Sequence, residues 1–89
     1  MHVQRFEWDS RNTEHIGRHA VEPVDAEAVC RSQRSVVVRG REGRYLVYGQ
    51  TPEGRYLFTV LHAYGGGVVR VITSRDMSDS ERQFYQRRG

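Results

Sequence analysis

Four histidines and fourteen arginines, with no lysine, supply most of the groups with which this 89-residue chain could move protons or hold anions. Imidazole titrates near neutrality and is the ordinary side-chain proton carrier at physiological pH. Guanidinium keeps its proton, so its natural task is to stabilise negative charge. Its planar fork meets a phosphate or carboxylate with two parallel hydrogen bonds. His15 and His19 are four residues apart and share one face of a helix. That spacing suits zinc only where further ligands exist. No metalloprotease glutamate accompanies the pair, Cys30 is isolated, and His62 would have to complete a trio through the fold. The pair therefore reads as surface or capping histidines, with no metal. Arg70 interrupts the apolar run Val68-Val69-Arg70-Val71-Ile72, and such a charge needs either a carboxylate partner or open solvent. Arg75 closes the run beside Asp76, where a salt-bridged strand end is the plain reading. Tyr85 can lie at a core rim with its hydroxyl outward. No glycine-rich phosphate loop, nucleophile elbow or zinc-finger spacing is present.

The elements that must position these groups follow from periodicity. Phe6-Glu7-Trp8, with aromatics at period two, predicts a brief strand or an anchoring arm. Asp9 or Ser10 can cap a helix over roughly 11–19. Pro23 suits the first position of a second helix over roughly 23–32, which places Val24, Ala28 and Val29 or Cys30 on one face. From residue 35 the pattern turns β: strands near 35–39, 44–50, 55–64 and 68–74, joined by turns at Gly40–Gly43, Thr51–Gly54 and Gly65–Gly67. Turns that short join antiparallel neighbours. Ser78-Asp79-Ser80-Glu81 is a capping box opening a last helix over about 79–87. The expected architecture is α+β: a short N-terminal strand and two helices, an antiparallel four-stranded β-meander, and a C-terminal helix. Strand alternation puts Tyr56, Phe58, Val60, His62 and Tyr64 on one face, with Leu57, Thr59 and Leu61 on the other. On the last strand it puts Val69, Val71 and Thr73 opposite Arg70, Ile72 and Ser74.

Length and composition bound the function. Eighty-nine residues predict a single domain over 1–89 with a thin core, burying roughly 60% of the surface of the unfolded chain. One cysteine allows no internal disulfide, no apolar run reaches the roughly 18 residues of a membrane span, and the N-terminus carries no signal-like stretch. The expectation is a cytoplasmic protein with no membrane contact. Residues 1–30 hold six acids and three arginines, a balance of −3; residues 31–89 hold eleven arginines and five acids, a balance of +6. The basic sheet and last helix suit a polyanion or an acidic protein partner, or simply form a solvated face. The lack of lysine is read as a mark of base composition rather than of a site.

The order of motifs resembles a known family. Phe6-Glu7-Trp8-Asp9, Asn12, His19-Ala20-Val21 and Glu27-Ala28-Val29 are similar to the opening of BrnT-type toxins. Arg70-Val71-Ile72-Thr73-Ser74-Arg75, with Glu81-Arg82 and Tyr85, looks like the closing signature of that family. The resemblance implies a RelE-like ribonuclease toxin of a type II toxin–antitoxin pair, cleaving RNA without metal or cofactor. It also implies silencing by a cognate DNA-binding antitoxin, with operator DNA reached only through that antitoxin. It carries Arg70, Arg75 and Tyr85 over as functional positions. Two departures stand out: Ala20 replaces the glycine usual after the signature histidine, and Asp76 stands where a basic residue is common. An acid there is expected to lower the local potential.

Metal-free RNA cleavage must align or deprotonate the 2′-hydroxyl, stabilise a pentavalent phosphate and protonate the leaving 5′-oxygen. On the resemblance, Arg70 and Arg75 would clamp the phosphate, Tyr85 would stack on a base or assist proton transfer, and His62 or His19 would supply the titrating group. The rival reading is a non-catalytic basic module that binds an acidic protein partner or RNA without cutting, since binding and cleavage call on the same arginines.

Overall fold

The computed structural model describes residues 2–88. In chain order it contains β1 (Arg5–Glu7), α1 (Ser10–Gly17), α2 (Pro23–Arg31), β2 (Val36–Arg39), β3 (Arg44–Gln50), β4 (Tyr56–Gly65), β5 (Val68–Asp76) and α3 (Asp79–Arg88). The strands form one sheet in the order β1-β5-β4-β3-β2. The meander β2–β5 is antiparallel as expected. The sheet is one strand wider than the expected four-stranded meander, because the expected N-terminal strand joins it. β1 joins the far edge of β5 in parallel, pairing Arg5 with Val68, Phe6 with Val69 and Glu7 with Arg70. A parallel pair needs a long crossover, which here is most of the chain, so no local turn announces it.

α1 begins one residue earlier than read and is shorter. Asp9 is its cap, accepting from the Arg11 and Asn12 backbone N–H groups, while Asn12 Oδ1 accepts from the Asp9 N–H. α2 turns a different face inward: Ala26, Val29 and Cys30 are buried, whereas Val24 is 67% exposed. Small side chains explain the choice. A Cβ on Gly49 of β3 would lie 2.8 Å from Val29 Cγ1, so helix and strand meet here only because both present little bulk. Ile16, Val21, Val29, Val47, Leu57, Leu61, Val69 and Val71 fill the core between these helices and one face of the sheet. The capping box of α3 is present: Ser78 Oγ accepts from the Glu81 N–H, and Glu81 Oε1 accepts from the Ser78 N–H. α3 covers part of the opposite face, with Phe84 against Tyr48 and Tyr85 edge-on to Tyr56.

Simple alternation fails along β5. Val60 pairs with Thr73 but Leu61 pairs with Val71, so Ile72 is the extra residue of a β-bulge. Beyond it every side chain changes face. Ser74, not Thr73, turns to the core, fully buried with its hydroxyl 2.7 Å from Thr59 Oγ1. The bulge also sets Arg70 and Arg75 on the same face, opposite His62 and Phe58 respectively. A second irregularity lies between Ala63 and Gly65, leaving Tyr64 unpaired. No helix among the described residues is long and apolar enough to cross a membrane.

Candidate functional site: the seam between α1 and β5

β1 covers only the first positions of β5, and α1 lies along the edge that β1 leaves open. Asn12 Nδ2 takes the place of the missing strand, donating to Glu7 O at 2.9 Å and Val71 O at 3.2 Å. Asn12 is buried, so these bonds anchor the helix to the strand. The next turn puts His15 Nε2 3.1 Å from Thr73 Oγ1. One turn further, His19 stands with its ring 5.8 Å from that of His15, edge to face. A spacing of four residues thus becomes a row of imidazoles beside β5.

Arg70 reaches the head of this seam. Its Nη1 and Nη2 donate to Asp9 Oδ2 and Oδ1 at 2.8 and 3.1 Å. The Arg70 guanidinium holds the Asp9 carboxyl down at about 2, with the Asn12 N–H adding to the effect. Two of five guanidinium N–H groups are used, which leaves three for an anion. Arg70 therefore has both of the alternatives its sequence position demanded, a carboxylate partner and access to the surface. Arg11, Asn12, His15, Arg70, Val71 and Ile72 line an open cleft of about 330 Å³.

Arg75 is elsewhere. Its Nη1 donates to Glu81 Oε1 at 2.8 Å and to Asp76 O at 3.0 Å, and its Nη2 to Glu81 Oε2 at 2.9 Å. The guanidinium lies 4.7 Å above the Phe58 ring. This arrangement ties the first turn of α3 to the sheet. The positions facing Arg70 and Arg75 on β4 are four residues apart, about 13 Å at roughly 3.3 Å per residue, and each guanidinium is held by a carboxylate of its own, Asp9 and Glu81. Tyr85 lines a separate cleft of about 590 Å³ with Arg34, Gln50, Tyr56 and Arg88. His62 is the cross-strand neighbour of Arg70, yet its Nδ1 is buried with no partner among the described residues, beside Gly43, and its ring meets Tyr64. Of the expected site residues, Arg70 shares the cleft with two not expected there, His15 and Arg11, while His19 stands further along the seam against the His15 ring.

Asp76, the acid expected to lower the local potential, is salt-bridged, and its partner is Arg55. Arg55 Nε and Nη2 donate to it at 2.7 and 3.2 Å, while Nη1 and Nη2 also hold the backbone carbonyls of Ala20 and His19. This clamp closes the far end of the seam. Ala20, which replaces the glycine that the resemblance leads one to expect, sits in the left-handed region at φ 56°. The local backbone, rather than chemistry, is what calls for glycine there. Among the described residues, no three His, Cys, Asp or Glu side chains gather as a metal site, so His15 and His19 have no third ligand.

The family model for BrnT, described as a ribonuclease toxin of a type II toxin–antitoxin system, matches residues 8–81. The chain belongs to the BrnT family. Membership makes it a ribonuclease toxin of the type II class, with RNA as substrate and an antitoxin as partner. The matched span contains the whole seam, from Asp9 to Asp76, and stops before Tyr85. The crystal structure of the Brucella abortus ribonuclease toxin BrnT superposes with a TM-score of 0.65 over 89% of this chain and 100% of that one, at 15% identity. At that identity the likeness speaks for the fold, and the fold is the α+β arrangement expected from the resemblance. No curated protein matches the chain in sequence.

Proposed function

We propose that the chain cuts RNA without a metal ion, at the α1–β5 seam, by attack of the 2′-hydroxyl on the adjacent phosphorus. The supporting observation is that His15 and Arg70 line one open cleft together with Arg11. Arg70 and Arg11 hold the phosphate and stabilise the charge that builds on its oxygens. His15, steadied by Thr73, accepts the 2′-hydroxyl proton, and His19 gives a proton to the departing 5′-oxygen. The P–O5′ bond breaks as the O2′–P bond forms, which leaves a 2′,3′-cyclic phosphate and a free 5′-hydroxyl. Asp9 keeps the Arg70 fork aimed. Arg75 and Tyr85 serve α3 and the second cleft rather than the scissile phosphate.

The test is cleavage of a defined RNA in excess chelator, with the product ends identified. Cyclic phosphate ends are expected, together with a loss of about 10²-fold or more in kcat for Arg70→Ala and for His15→Ala. Full activity in a folded His15→Ala protein overturns the assignment.

In the same reading residues 1–89 fold as one domain and work in the cytoplasm. The antitoxin is a DNA-binding protein, and the toxin meets operator DNA only through it. Gel-shift assays of operator DNA with each protein alone and with the pair check this. Retention by the toxin alone contradicts it.

A further inference from the structure

Two irregularities bracket the cross-strand pair Arg70–His62: the bulge at Ile72 on one side and the one at Tyr64 on the other. A bulge leaves its extra residue out of the ladder and re-aims its side chain. Here the extra residue is a tyrosine, 55% exposed, among the few large hydrophobic side chains left at the surface. Its ring stands 4.8 Å from the His62 ring, edge to face. His62 is itself fixed, lodged beside Gly43 with Nδ1 buried, so Tyr64 rests on a rigid support. The glycines that follow, Gly65 and Gly66, leave open space around the turn. Arg44 completes the row, paired across from His62.

We infer that Tyr64 is a nucleobase platform, on which one base of a single-stranded RNA stacks while Arg70 holds a phosphate beside it. An exposed aromatic ring beside a row of arginines is an arrangement that binds single strands with little regard to sequence, because every base offers a π-face. The row Arg44–His62–Arg70 extends the path of the backbone across the sheet from the seam. The inference rests on the cleavage reading for the claim that the bound strand is substrate; the platform itself concerns binding alone.

The experiment measures binding of a short single-stranded 2′-O-methyl RNA, which cannot be cut, by fluorescence anisotropy, alongside the same strand with its bases removed. Tyr64→Ala should weaken binding of the base-bearing strand about tenfold and leave the abasic strand unchanged. Tyr64→Phe and Tyr64→Trp should retain wild-type affinity, which also guards against misfolding of the alanine variant. Equal losses on both strands, or no loss on either, overturn the platform. If His15→Ala still cuts RNA while Tyr64→Ala loses base-dependent binding, the cleavage assignment fails and the platform stands.

Discussion

Arg55 holds the carbonyl of Ala20 from 35 residues away, and Ala20 is held in a left-handed conformation. That conformation costs an L-residue roughly 1–2 kcal/mol, and glycine escapes it at the expense of a more flexible unfolded chain. Ala20→Gly should therefore stabilise the protein by about 0.5–1 kcal/mol, a rise of a few degrees in Tm. A thermal melt that is unchanged or lower shows that the loop relaxes elsewhere.

Acid should loosen the molecule in a defined window. Asp9 is held down from an ordinary 3.8 to about 2 by Arg70. The Arg55 and Arg75 guanidiniums likewise depress Asp76 and Glu81. A carboxyl whose folded pKa is lowered contributes stability that is present above its unfolded pKa and lost as pH falls through the folded one. Stability should thus hold near neutrality and decline from about pH 4 to about pH 2. Denaturant unfolding at stepped pH values tests this, and Asp9→Asn should flatten the decline.

The Cys30 thiol should be inert in the native state. Burial, with Glu27 adding to it, pushes its pKa up to about 12, so almost no thiolate exists at pH 8. Alkylation by iodoacetamide should be slow until denaturant is added. Labelling at the same rate in both states contradicts a closed core under α2.

Arg75→Ala should separate stability from catalysis. The side chain is 38% exposed and its bridge to Glu81 is correspondingly screened, so its loss should cost roughly 1 kcal/mol. Lysine, which cannot fork, should restore little of it. RNA cleavage by the folded variant should stay within about threefold of wild type, in contrast to Arg70→Ala. A collapse of kcat at preserved Tm would return Arg75 to the reacting phosphate.

The local features of the fold could be read directly. Ser78 and Glu81 carry their capping box in four residues, and the three short turns dictate the meander. What escaped reading depends on distant partners. β1 looks like an isolated arm until β5 supplies an edge for it. Nothing near Ile72 marks a bulge, yet that one extra residue reverses the face of Thr73 and Ser74 and moves Arg75 under α3. Val24 fits an apolar stripe, but Ala26 is smaller and wins the contact with the sheet. The seam was visible only in pieces. The four-residue spacing of His15 and His19 was plain, and Arg70 plainly needed a partner. That the partner is Asp9, and that Arg70 and His15 share a cleft, follows only from the folded topology.

The separation of 61 residues between Asp9 and Arg70 has a bearing on how such a protein is made. Synthesis delivers α1 and its histidines early and the strand bearing Arg70 late. Until β5 emerges, neither β1 nor α1 has an edge to dock on, and no guanidinium stands at the head of the imidazole row. On the proposed mechanism, the seam that would hold the phosphate is incomplete until β5 has left the ribosome.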